Sequence, residues 1–165
     1  MMSLFNNLLF GSTYPFHSKK LKVSFSLKSL SSLALHINQL NSVIPPSIGN
    51  LTSLRTLYIY NNRLYSFIPE EIGYLKSLAK LVLCANHLTG LFLVQLVNSL
   101  VLTNTCENHL FSPIPESLRN VISLDRVRFN QNNLFGKVHE AFGYYLNATF
   151  LNLGRNKFYR EILFN

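Results

Sequence analysis

The stretch LTSLRTLYIYNNRLYSFIPEEIGY, residues 51–74, decides the fold. Its apolar residues change spacing along the chain: Leu51, Leu54 and Leu57 are three apart, Leu57 and Ile59 two apart, and Asn62 breaks in before Leu64. The Leu57-x-Ile59 pair reads as a short strand, with those two side chains inward and Tyr58 and Tyr60 outward. Asn62 ends the strand, where a buried amide can bond the backbone groups that a turn leaves unpaired.

The same spelling recurs in both directions. Upstream stand Leu27, Leu30, Leu33, Leu35, Asn38 and Leu40; downstream, Leu75, Leu78, Leu81, Leu83, Asn86 and Leu88. A weaker copy carries Val97, Leu100, Thr103, Thr105, Asn108 and Leu110. Two more carry Val121, Leu124, Val127, Phe129, Asn132 and Leu134, then Tyr145, Ala148, Leu151, Leu153, Asn156 and Phe158. The asparagines at 38, 62, 86, 108, 132 and 156 are separated by 24, 24, 22, 24 and 24 residues, a register that chance does not produce. One coil of this kind cannot bury its leucines alone, so neighbours must stack, and the stacked asparagines form a polar ladder through an apolar interior.

The second half of the repeat carries a resemblance. Ile44-Pro45-Pro46-Ser47-Ile48-Gly49-Asn50-Leu51, Ile68-Pro69-Glu70-Glu71-Ile72-Gly73 and Ile114-Pro115-Glu116-Ser117-Leu118 share an Ile-Pro-x-x-Ile/Leu-Gly tail, with Arg119 in the glycine's place in the last. Together with the repeat this resembles the leucine-rich repeats of plant extracellular receptors, as in receptor-like kinase ectodomains and polygalacturonase-inhibiting proteins. The resemblance implies an α/β leucine-rich repeat solenoid of about six coils. A short parallel β-sheet would line its concave face, and 3-10 or irregular segments its convex face. The expected organisation is a degenerate segment over residues 1–26, a remnant of an earlier repeat, then an array with coils at 27–50, 51–74, 75–98, 99–120, 121–144 and 145–165. Several copies are damaged: Phe92-Leu93 and His139 stand where the tail motif expects Ile-Pro and proline, and Arg160 where glycine is usual. The Cys-containing caps of the family are missing from both ends, which raises the expectation of a receptor fragment or a decayed gene copy.

Composition bounds the rest. Of 165 residues 48% are hydrophobic and 13% charged, which excludes a disordered chain, and a net charge of +8 favours acidic over basic partners. Residues 1–16 are apolar in patches but lack a preceding basic region, with Lys19 and Lys20 following instead, so no convincing signal peptide is read. The longest apolar stretch, 88–103, falls short of a bilayer span and carries Gln95, Asn98 and Ser99; no transmembrane segment is expected. Cell-surface or extracellular placement is implied by the resemblance alone.

The outward strand residues supply the candidate binding face. Tyr58 and Tyr60 lie side by side, a combination enriched at interaction hot spots. Lys80 follows, and Arg126 and Arg128, with Arg155 nearby, form a basic cluster suited to carboxylate or sulfate groups; Asn130 completes the set. Cys84 and Cys106 share a repeat position in adjacent coils; a disulfide is within reach but strained, because side chains on adjacent parallel strands point the same way, and two free thiols are the favoured reading. A zinc site spelled by Cys84-x-x-His87 and Cys106-x-x-His109 is set aside, because those histidines follow the turn and would not converge with the thiols. Asn50-Leu51-Thr52 and Asn147-Ala148-Thr149 are glycosylation acceptors at Asn50 and Asn147.

No phosphate loop, kinase catalytic triplet or nucleophile elbow is present, and His17, His36, His87, His109 and His139 have no carboxylate at matching spacing. The expectation is therefore no enzyme, no cofactor, no metal and no nucleic-acid partner. The resemblance implies instead a module that binds a peptide or protein ligand, including a co-receptor ectodomain, in cell-surface signalling or defence. A polygalacturonase-inhibitor-like protein or a non-functional truncated copy is the alternative.

Overall fold

In the computed structural model, residues 2–3, 21, 28–91, 100–138 and 148–159 are described. Seven parallel strands form the main sheet: β1 (Met2–Ser3), β2 (Ser32–Ala34), β3 (Thr56–Tyr58), β5 (Lys80–Val82), β7 (Leu102–Asn104), β9 (Arg126–Arg128) and β11 (Phe150–Asn152), side by side in that order. Between them, β4 (Tyr65–Phe67), β6 (His87–Gly90) and β8 (His109–Leu110) build a second parallel sheet, and β10 (Phe135–Lys137) pairs with β12 (Lys157–Tyr159) in a third. From the coil at 51–74 onward, each coil thus contributes one strand to the main sheet and, after its ladder asparagine, one to a lateral sheet; the coil at 27–50 supplies only its main-sheet strand.

Register follows the repeat. Thr56 pairs with Lys80, Lys80 with Leu102 and Leu102 with Arg126, so the coil two residues shorter stacks without a slip. Leu33, Leu57, Leu81, Thr103 and Val127 hold the inward strand position and are buried, while at the edge strand β11 the equivalent Leu151 is 41% exposed. Met2 pairs with Leu33, 31 residues on where the later coils need 22 or 24.

After the lateral strands, each described coil that spells Ile-Pro forms a 3-10 turn, at Pro46–Asn50, Glu70–Tyr74 and Glu116–Asn120. Pro45, Pro69 and Pro115 enter these turns at φ of −72°, −68° and −62°, the value the pyrrolidine ring fixes. The first two turns touch: a Cβ on Gly49 would lie 2.8 Å from both the Cβ and the carbonyl oxygen of Glu71, so only glycine permits that approach. Phe92, Leu93, His139 and Arg160, where the tail motif breaks down, lie outside the described residues.

The strand-ending turn has a feature the residue types do not announce. Ile37, Asn61, Ala85, Glu107, Gln131 and Arg155, each immediately before a ladder asparagine, take left-handed φ values of 52–57°. The amides of the first five still bond the next coil, as from Asn61 N to Cys84 O at 2.9 Å and from Ala85 N to Cys106 O at 3.1 Å, and the Arg155 carbonyl accepts from Asn132 N at 3.2 Å. The backbone ladder therefore continues around the corner and holds a conformation costly for side chains other than Gly, Asn or Asp.

Candidate functional site

The asparagine ladder fixes the platform on which any site is built. Asn86 Nδ2 donates to Ile59 O, Leu83 O and Cys84 O at 3.1, 3.0 and 3.3 Å, and its Oδ1 accepts from Leu64 N at 3.0 Å. Asn62, Asn108, Asn132 and Asn156 repeat that set on the equivalent atoms. Asn38 bonds Leu35 O and His36 O within its own coil. From Asn62 onward each amide joins a coil to the one before it, so the outward residues of successive strands are held in fixed columns.

Two poles emerge on the main sheet. At the first, the His36 imidazole stacks on Tyr60 with ring centroids 4.4 Å apart and planes 12° from parallel. Tyr58 meets both rings edge-on, at 6.4 Å from His36 and 6.5 Å from Tyr60. Tyr58 and Tyr60 are half-buried and His36 is buried, which pulls its imidazole below the ordinary pKa because the charged form is desolvated. His36 thus underpins the tyrosine pair, a role that its place in the repeat did not reveal because the stack depends on ring orientation.

At the second pole, Arg126 and Arg128 project from β9 and both are exposed. Arg128 lies over the Phe150 ring, its Cζ 4.9 Å from the centroid, a cation–π contact that orients the guanidinium. Arg126 Nε stands 3.6 Å from Asp125 Oδ2; with both side chains solvated, this pair contributes little and leaves most of the fork available. Asn130 donates to Gln131 Oε1 at 3.2 Å. Lys80 is exposed on β5, between the poles. Three interstrand steps separate β3 from β9, roughly 14 Å at the usual strand spacing. The sheet thus brings the two tyrosines together and the two arginines together, and it keeps the pairs apart.

Cys84 and Cys106 are both free and buried in this structure. They sit at the same position in neighbouring parallel coils, so their side chains point the same way, and the Cys84 thiol donates to Asn104 Oδ1 at 2.5 Å. His87 and His109 stack on each other in the lateral sheet, centroids 5.9 Å apart, as an imidazole pair separate from the thiols. Among the described residues no group of three or more His, Cys, Asp or Glu is placed to hold a metal ion. Asn50 ends the first 3-10 turn, half-buried, and Asn147 lies outside the described residues. No described helix is long and apolar enough to cross a membrane.

Residues 28–88 match the leucine-rich repeat family model. No curated protein matches the sequence. Among solved structures, the chain is similar to the ectodomain of the membrane receptor kinase GASSHO1/SCHENGEN3 from Arabidopsis thaliana, solved with CASPARIAN STRIP INTEGRITY FACTOR 2. The identity is 29% and the TM-score 0.78, over 81% of this chain and 16% of that one. It is similar at 29% identity and a TM-score of 0.77 to the Arabidopsis receptor kinase HAESA, solved with the peptide hormone IDA and a co-receptor, over 81% of this chain and 23% of that one. A plant ice-binding protein also superposes, at 27% identity and a TM-score of 0.66, over 78% of this chain and 41% of that one. This chain spans less than a quarter of either receptor ectodomain. The Ile-Pro turns, the asparagine ladder and the lateral sheets belong to one architecture: the chain is a leucine-rich repeat solenoid, similar to the ectodomains of plant receptor kinases.

Proposed function

We propose that this chain is a ligand-binding module that takes an extended peptide or protein segment across its main sheet. The observation that carries this reading is the pairing of an aromatic pole at Tyr58 and Tyr60 with a basic pole at Arg126 and Arg128, on one face and in fixed columns. Stacked rings offer a large, rigid contact area at low entropic cost, and the arginine pair offers donors for a carboxylate or another oxyanion. The separation of roughly 14 Å suits about four residues of extended chain between an aromatic or prolyl group and an acidic one. Lys80 and Asn130 lie beside that path and add polar contacts. Similarity to receptor ectodomains solved with peptide hormones and a co-receptor supports the same reading. A place at the cell surface, in signalling or defence and with glycans at Asn50 and Asn147, accords with it.

The test is an array of short peptides that vary the distance between one aromatic residue and one carboxylate, probed with the purified chain. Binding should peak near a spacing of four residues and fall about tenfold or more for both Tyr60→Ala and the double variant Arg126→Ala/Arg128→Ala. Binding that ignores the spacing, or survives both variants, overturns the reading. Loss of polygalacturonase activity on mixing, without peptide binding, supports the inhibitor alternative instead.

A further inference from the structure

We propose that Cys84 and Cys106 form a reactive dithiol on the main sheet, which exchanges with small-molecule disulfides and closes to an intramolecular bridge. The inference stands on the geometry of the thiols and does not depend on the peptide reading.

Placement comes first. Cys84 lies two residues past β5 and Cys106 two past β7, and these are the strands between the aromatic and basic poles. The backbones on either side are pinned: Leu83 N donates to Asn104 O at 2.8 Å, and Ala85 N to Cys106 O at 3.1 Å. The two Cα atoms are therefore held near the strand spacing of about 4.8 Å, inside the window that a disulfide requires. Closing the bridge needs rotation about side-chain bonds, strained because the two side chains leave parallel strands in the same direction.

The neighbourhood makes the two sulfurs unequal. The Cys84 thiol donates to Asn104 Oδ1, which holds its proton in place. The Cys84 side chain beside Cys106, with the positive charge of Arg128, outweighs burial and Glu107 and holds the Cys106 pKa below its ordinary value. The neighbouring Cys106, followed by burial, pushes Cys84 well up. Cys106 is also the more accessible, at 9% exposed against 7%. Cys106 is thus the attacking thiolate and Cys84 the resolving thiol.

The step balances with an organic disulfide such as oxidised glutathione as the oxidant. The Cys106 thiolate attacks one sulfur of the disulfide, breaks its S–S bond and releases one glutathione thiolate, leaving a mixed disulfide on Cys106. Cys84 then loses its proton to solvent and attacks the Cys106 sulfur, expelling the second glutathione as thiolate. Two protein thiols are oxidised to one disulfide, and one glutathione disulfide is reduced to two thiols. The bridge ties the coil at 75–98 to the coil at 99–120 and stiffens the floor between the two poles.

Incubation of the folded chain in graded mixtures of reduced and oxidised glutathione, then alkylation and peptide mapping, tests this. The wild type should yield a linked Cys84–Cys106 peptide pair, two hydrogens lighter than the reduced pair. Cys84→Ser should stop as a stable glutathione adduct on Cys106, and Cys106→Ser should leave Cys84 reduced. Independently of the variants, alkylation of the reduced wild type should label Cys106 about tenfold faster than Cys84, a difference abolished in denaturant. The oxidised wild type should melt at a higher temperature than the reduced one. Glutathione adducts on both thiols without a bridge, a bridge formed only in denaturant, or equal alkylation rates in the folded chain each overturn the proposal.

Discussion

The coil built on Leu57 and Ile59 and the coil built on Thr103 and Thr105 begin from sequences of unequal quality and reach the same geometry. In both, the two inward strand positions are 0–1% exposed. In both, the ladder asparagine bonds three carbonyls and one backbone amide, Asn62 on one side and Asn108 on the other. The second coil manages this although it is two residues shorter and has lost its inward aliphatic pair. The difference lies in what those positions enclose: leucine and isoleucine in one, two threonine hydroxyls without hydrogen-bond partners in the other. Coil shape is set by the backbone and the ladder, and the apolar residues set how much stability that shape carries.

The largest test of this division is to remove the amide. Asn108→Ala leaves Leu88 N and the buried carbonyls of Leu83, Thr105 and Cys106 without the bonds it supplies. The expected loss is about 3–5 kcal/mol in urea unfolding, with a matching loss for Asn62→Ala. Unequal losses would show that the apolar residues, and not the ladder, hold the stronger coil.

Next in size is the contact between the 3-10 turns. Gly49→Ala forces a Cβ against Glu71 and should cost about 2 kcal/mol, read as a lower unfolding midpoint. A neutral result would show that those turns are free to separate.

The third prediction improves the weaker coil. Thr103→Val with Thr105→Val removes two buried, unpartnered hydroxyls at nearly constant shape, and should raise stability by about 1–3 kcal/mol in thermal unfolding. If the double variant is no more stable, those hydroxyls are satisfied in solution and the two coils are energetically closer than their sequences suggest.

The smallest effect concerns backbone strain. Ser66 adopts φ of 70° where the equivalent Gly90 and Gly136 take 80° and 96°. Ser66→Gly should therefore gain about 0.5–1 kcal/mol in the same measurement.

Much of this architecture is legible in the residues. The Leu-x-Leu pairs and the asparagine spacing point to the parallel main sheet, and the Ile-Pro tails lie where the 3-10 turns form. The left-handed residue before each ladder asparagine is not legible, because Ile37, Ala85, Glu107, Gln131 and Arg155 share no chemical property. Only the hydrogen bonds from the neighbouring coil impose that conformation. For the candidate site, the tyrosine and arginine columns can be counted from the asparagines. The stack of His36 on Tyr60 and the seat of Arg128 on Phe150 cannot, since ring and guanidinium orientations depend on what the next coil presents. The state of Cys84 and Cys106 is likewise a tertiary matter: position alone permits a bridge, while side-chain direction decides between a bond and two free thiols.

The sequence by itself determined that this chain coils, how many residues each turn takes and which side chains face in, because a repeat that cannot bury its own leucines must stack on its copy. The tertiary structure alone decided which outward residues meet across coils and which partner the Cys84 thiol finds. Those outcomes depend on distances of a few ångströms between segments 22 or 24 residues apart, which no local pattern encodes.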